Sequence, residues 1–191
     1  MNGFVQGCAE FWHRFSGQIR HGSIHFPKLN LSDLSTTKGT VDEFLLREKR
    51  LDVIWHNAGV MLPDNPGQAT VQGYHQQLGI NVVAPFLIQH YLTPLMLTTA
   101  KSAEPYSVQV IFVSSSGHRV APMPDGVSWN DMDLLKSDKV GLRNEMCQYG
   151  QSKAMNVMQA YEFAYRYATF EWFFGPVLWE LQKLNRLQRL K

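Results

Sequence analysis

Tyr149 and Lys153, four apart in Gln148-Tyr149-Gly150-Gln151-Ser152-Lys153, are the side chains here whose types and spacing could do chemistry. Residues at i and i+4 share a helical face, so a helix over this segment sets the ammonium beside the phenol. A cation beside a phenol favours phenolate, which otherwise forms only near a pH of about 10. Such a pair can give or take a proton near neutral pH. The spacing alone is equally that of a surface helix that happens to carry a tyrosine and a lysine. Its weight comes from the elements and polar loops that precede it.

Residues 51–55 and 107–113 are short apolar runs rich in β-branched residues, the composition of buried parallel strands. Residues 23–31 read as a strand broken or ended by Pro27, after which Ser32-Asp33 offers a helix start. Val41, Phe44 and Leu45 give the next helix an apolar face at i, i+3 and i+4. Strand patterns alternating with helical ones predict an α/β sheet. In open α/β sheets ligands bind beyond the carboxyl ends of the strands. Asn57-Ala58-Gly59 and Ser114-Ser115-Ser116 both stand immediately after predicted strands, so two small-residue loops meet on that edge.

Each loop has two readings. Asn57-Ala58-Gly59 has small side chains that let a ligand approach the backbone, and it also fits an ordinary strand-to-loop turn. Asn81 precedes Pro85 by four residues, and a proline there cannot donate the helical hydrogen bond to the Asn81 carbonyl. That free acceptor suits either a functional role or a simple proline kink with a solvated carbonyl. Three serines after a strand are commonly a turn, and the second, Ser115, is the candidate with a role.

Asn57-Ala58-Gly59, Asn81, Ser115, Tyr149 and Lys153, in this order, resemble the short-chain dehydrogenase/reductase family. Trp129-Asn130-Asp131-Met132-Asp133-Leu134 followed by Tyr149-Gly150-Gln151-Ser152-Lys153 is similar to its retinol-dehydrogenase-like branch. The likeness covers residues 23–167. It implies a Rossmann-like doubly wound parallel sheet, incomplete here because the first βαβ unit and the final strands are missing. It also implies a nicotinamide cofactor, NADP(H) or NAD(H) with NADP(H) favoured, and interconversion of a hydroxyl and a carbonyl on a small lipophilic or secondary-metabolite-like substrate. By the same resemblance Asn57, Ala58 and Gly59 line the adenosine side of the cofactor, and Asn30 and Leu31 also contact the cofactor. The Asn81 carbonyl would hold a water linking the lysine to a proton relay, and Ser115 would hydrogen-bond the reacting oxygen. Tyr149 would exchange the proton, and Lys153 would assist it and hold the nicotinamide ribose. His56 stands where the family more often has asparagine.

The family's glycine-rich phosphate turn has no clear counterpart. Gly3-Phe4-Val5-Gln6-Gly7 is preceded only by Met1 and Asn2, and Phe11, Trp12, Phe15 and Ile19 mark residues 8–20 as helical. Residues 1–168 therefore read as one incomplete Rossmann-like domain, and 169–191 as an atypical amphipathic tail. The tail's aromatic cluster and basic residues suit weak contact with a membrane surface or a patch over exposed sheet. The runner-up to an enzyme is a catalytically inactive, family-derived fragment that binds a protein or a membrane.

Composition narrows the partners. A chain of 191 residues, 45% hydrophobic, suits one core. A formal charge of +2 with 18% charged residues gives no basic stripe for nucleic acid. Cys8 and Cys147 make neither a CxxC pair nor a disulfide framework, so a reducing, cytoplasmic setting is expected. Residues 1–14 lack the basic start and apolar run of a signal peptide. Residues 82–97 are interrupted by Gln89 and His90 and punctuated by Pro85 and Pro94, against a membrane span. His21 and His25 are four apart, but on a predicted strand that spacing does not ligate, so no metal site is expected. The expected partner is a small-molecule substrate, with a homo-oligomer as an open possibility.

Overall fold

Three parallel strands form the sheet, in the order β1 (Val53–His56), β2 (Gln109–Val113), β3 (Phe173–Val177). In register, Trp55 of β1 lies opposite Ile111 of β2, which lies opposite Gly175 of β3. The computed structural model describes residues 24–61, 68–134, 141–167 and 173–177. The Gly3-to-Gly7 segment, the helical pattern over 8–20, His21 and the rest of the tail lie outside the described residues.

Helix α1 (Thr37–Arg47) starts from a 3-10 turn at Leu34–Thr36 that Asp33 caps. The Asp33 carboxylate accepts from the Ser35 N–H at 3.0 Å, the capping bond expected of Ser32-Asp33. Val41 is buried, and the helix packs on α2 (Gln76–Ala100). Helix α2 carries a π turn at Gly79–Val83 and Pro85 just beyond it, then continues into the core with Pro94 inside it. It is long and apolar enough to cross a bilayer, but half of its apolar window is buried in the fold, as befits a core helix. Helix α3 (Leu142–Arg166) carries the Tyr149 segment.

Strand alternation fixes the core. Val108, Val110 and Phe112 point to one face, where Met96 of α2 and Ala160 and Phe163 of α3 close over them. Leu51, Ile54 and Leu97 complete that cluster. Among the described residues the architecture is a Rossmann-like parallel α/β sheet, incomplete in its strand set.

Three expectations are corrected. Residues 24–30 form no strand, because among the described residues no strand pairs with them, and an extended segment becomes a strand only through a ladder. Strand β1 is not a buried central strand: Val53 is 41% and Trp55 59% exposed, and no described strand pairs with its outer edge. Residues Phe173–Val177, assigned to the tail, instead pair in parallel with β2. Gly175 and Pro176 hid that strand, and a proline is tolerated there because β3 is an edge of the described sheet.

Candidate functional site

The carboxyl ends of β1 and β2 open on a cavity of about 420 Å³. Its lining comprises Asn57, Gly59, Val60, Met61, Val113, Ser114, Ser115, Ser116, Tyr149 and Lys153. A larger cavity, about 610 Å³, sits at the amino end of β1 between residues 25–27 and 43–53. The smaller one is the candidate site, because it lies where α/β sheets bind ligands and holds the side chains capable of proton transfer.

Helix α3 enters the site at an unusually close approach. A Cβ on Gly150 would stand 2.7 Å from the Gly117 carbonyl oxygen and 2.9 Å from the Ala121 nitrogen. A Cβ on Gly117 would stand 2.8 Å from Cε1 of Tyr149 and 3.4 Å from Oγ of Ser115. The two glycines thus let α3 lie against the 3-10 turn Ser116–Val120, with the Tyr149 ring and the Ser115 hydroxyl flanking one point. Ser115 caps that turn, its Oγ accepting from the Gly117 N–H at 3.1 Å.

Lys153 is buried, 6% exposed, and its ammonium donates to the Val113 carbonyl at 2.9 Å. Ser114 returns the connection by donating to the Lys153 carbonyl at 2.7 Å, so the end of β2 and α3 are tied twice. The ammonium lies 5.8 Å from the centre of the Tyr149 ring, as their shared helical face requires. Removal from water pulls the lysine below its ordinary pKa.

Asn81 stands behind the cavity, 2% exposed. Its side chain donates to the Val60 carbonyl and accepts from the Val60 N–H, both at 2.8 Å, in the manner of a strand rung. It also donates to Ser152 Oγ at 3.0 Å. Gly59 fits only because it lacks a Cβ, which would stand 2.8 Å from the Asn81 Oδ1 and 3.7 Å from the Lys153 ammonium. The Asn81 carbonyl is not the free or solvated acceptor expected from Pro85: the Asn156 amide donates to it at 2.7 Å.

Comparison with known proteins places this geometry. No family model matches the chain. A short-chain dehydrogenase/reductase of Emericella nidulans, pkfC, is 44% identical over 145 residues, 76% of this chain and 44% of that protein. The chain belongs to the short-chain dehydrogenase/reductase family. Dehydrogenase/reductase SDR family member 13 of Bos taurus is 32% identical over 144 residues, 75% of this chain and 34% of that protein. The chain thus spans less than half the length of these relatives. Among solved structures, the Pseudomonas aeruginosa RhlG/NADP active-site complex superposes with a TM-score of 0.60 at 20% identity, over 88% of this chain and 56% of that one, which is a likeness of fold.

In this short-chain dehydrogenase/reductase chain, Asn57, Gly59, Ser115, Tyr149 and Lys153 face one cavity and Asn81 braces it from behind. Ala58 is exposed beside the lining residues without being one of them. Asn30 and Leu31 do not line the cavity. The Asn30 side chain instead accepts from the Ser32 N–H at 3.1 Å, folding the chain into the turn before α1. Among the described residues no cluster of three or more His, Cys, Asp or Glu could hold a metal ion.

Sequence reasoning missed the amides that hold the site in place. Gln148 donates to the Asp133 carbonyl at 2.7 Å, and Gln151 accepts from the Ser128 N–H at 2.7 Å while donating to the Met132 carbonyl. These glutamines flank Tyr149-Gly150 and pin the Trp129-to-Leu134 motif against α3. Their signal was present as buried positions on a helix that otherwise reads polar, but nothing in the sequence names their acceptors.

Proposed function

We propose that this chain carries the reaction centre of an NAD(P)-dependent oxidoreductase interconverting a hydroxyl and a carbonyl on a small lipophilic or secondary-metabolite-like substrate, with NADP(H) favoured. The observation that carries the reading is Tyr149 and Lys153 on one face of α3, with Ser115 across Gly117, all lining one cavity at the carboxyl ends of the strands.

The residues present suit a dinucleotide. The absence of a Cβ at Gly59 keeps the loop after β1 seated against Asn81 and Lys153, and the Lys153 ammonium and Asn57 offer donors at the cavity wall. When bound, the nicotinamide supplies the hydride. The chain's own residues handle orientation and the proton. Ser115 already accepts from the Gly117 N–H, so its own hydroxyl hydrogen is left to donate to the reacting oxygen. Tyr149 gives its proton to a carbonyl oxygen in reduction and takes one from an alcohol in oxidation. Lys153, held by the Val113 carbonyl, places its ammonium on the face it shares with that phenol, where positive charge favours the phenolate. Relatives whose names mark them as short-chain dehydrogenase/reductases support the chemistry, and NADP in the RhlG complex supports the cofactor.

The test is a titration of folded protein with NADPH and NADH, following nicotinamide fluorescence and thermal stability together. Saturable binding, weakened about tenfold in Lys153→Ala as expected for one lost charged hydrogen bond, is the expected result. A folded chain that binds neither dinucleotide, and turns over no member of a broad ketone and alcohol panel, refutes the proposal.

A further inference from the structure

Helix α2 breaks its own hydrogen-bond ladder next to the site. Pro85 has no N–H for the Asn81 carbonyl, and the π turn Gly79–Val83 shifts the bonds around it, the Ala84 N–H returning to the Gly79 carbonyl. Two side chains of α3 supply donors there. Asn156 donates to the Asn81 carbonyl at 2.7 Å, and Gln159 donates to the Val82 carbonyl at 3.0 Å. The Asn156 nitrogen also faces Gln159 Oε1 at 3.4 Å. Both neighbours are acceptors, so the amide can be oriented only with its nitrogen toward them.

Asn156 is 2% exposed and does not line the cavity, yet the bonds lead from it to the cavity wall. It fixes the backbone of Asn81, whose side chain grips Val60 on both its N–H and its carbonyl. There is little slack beyond that point, because even a Cβ added to Gly59 would stand 2.8 Å from Asn81 Oδ1 and 3.7 Å from the Lys153 ammonium. We infer that Asn156, with Gln159 beside it, is a positioning residue: it sets the rotation of α2 at its π turn and so the placement of Asn81, Val60 and Gly59. Its consequence for catalysis rests on the proposed function, whereas the coupling itself does not.

The experiment reads hydrogen exchange at the Val60 amide by NMR, in the full chain, in Asn156→Leu, and in both again on an Asn81→Ala background. Asn156→Leu is expected to speed Val60 exchange about tenfold, the effect of about one net hydrogen bond, with amides of β2 unchanged. On the Asn81→Ala background the same substitution is expected to change Val60 exchange less than about twofold, because the transmitting side chain is gone. A purely structural role would give equal effects on both backgrounds, and that result, or an unchanged Val60 in folded Asn156→Leu, overturns the inference. Should Asn156→Leu not fold, Gln159→Leu is put through the same cycle under the same criteria. Dinucleotide titration of the same samples separates the two readings. Coupling without binding refutes the enzyme reading and leaves this one standing, while binding without coupling does the reverse.

Discussion

Acid should destabilise this protein through His56 before its carboxylates protonate. The imidazole stacks on Phe112, ring centres 4.7 Å apart, and its Nε2 lies 3.0 Å from Gln89 Oε1. Gln89 donates through its nitrogen to Thr93 Oγ1 at 3.1 Å, so its oxygen faces the histidine and Nε2 carries the proton of a neutral ring. Loss of solvation drives the His56 pKa from 6.5 down to about 4, the Gln89 hydrogen bond opposing it. The unfolded chain then binds more protons between those two values. The stability is whole above about pH 6.5 and is lost as pH falls toward 4. The ring is half-buried, so the full drop corresponds to at most about 3 kcal/mol, and to about 2 kcal/mol by pH 5. Urea denaturation of the wild type and of His56→Asn at pH 7 and at pH 5 checks this. The wild type should lose about 2 kcal/mol more than the variant over that interval. Equal losses in the two proteins would refute the reasoning, whatever the variant does at pH 7.

Other perturbations test the packing and the chemistry. Gly150→Ala places a methyl against backbone atoms of Gly117 and Ala121 and should cost about 1–3 kcal/mol in urea denaturation. Gly59→Ala, whose methyl would meet the Asn81 amide, should weaken dinucleotide binding about tenfold while leaving far-UV circular dichroism unchanged. Tyr149→Phe should lower turnover about 10²–10⁴-fold and leave the dinucleotide Kd within about twofold, measured by single-turnover kinetics and fluorescence titration. A Tyr149→Phe enzyme as fast as the wild type would remove the phenol from the mechanism.

How much was legible in the sequence depended on the range of the interaction. Residues 51–55 and 107–113 carry their own apolar, β-branched signal, and β1 and β2 form there. Tyr149 and Lys153 share a face because helical periodicity is local, and the small-residue loops fall at the strand ends by the same logic. Residues 24–30 failed as a strand because strand formation is a property of two backbones, of which the sequence displays one. Phe173 to Val177 failed in the opposite sense, with Gly175 and Pro176 masking a segment that β2 pairs anyway. The fate of the Asn81 carbonyl was beyond local reading altogether. Its donor, Asn156, stands 75 residues away on another helix, and an asparagine there has no periodicity that announces an acceptor.

The seat of Gly150 on Gly117 and Ala121 also sets the phase of α3. An α-helix turns about 100° per residue, so contact at one residue fixes the compass direction of every other. Counted from that seat, Lys153 comes round to the Val113 carbonyl and Asn156 to the π turn of α2. One residue inserted between Gly150 and Lys153 would swing both about 100° away while leaving Tyr149 in place. An insertion beyond Gln159 would leave all three directions intact. The glycine is thus the zero mark from which the working face of the helix is measured.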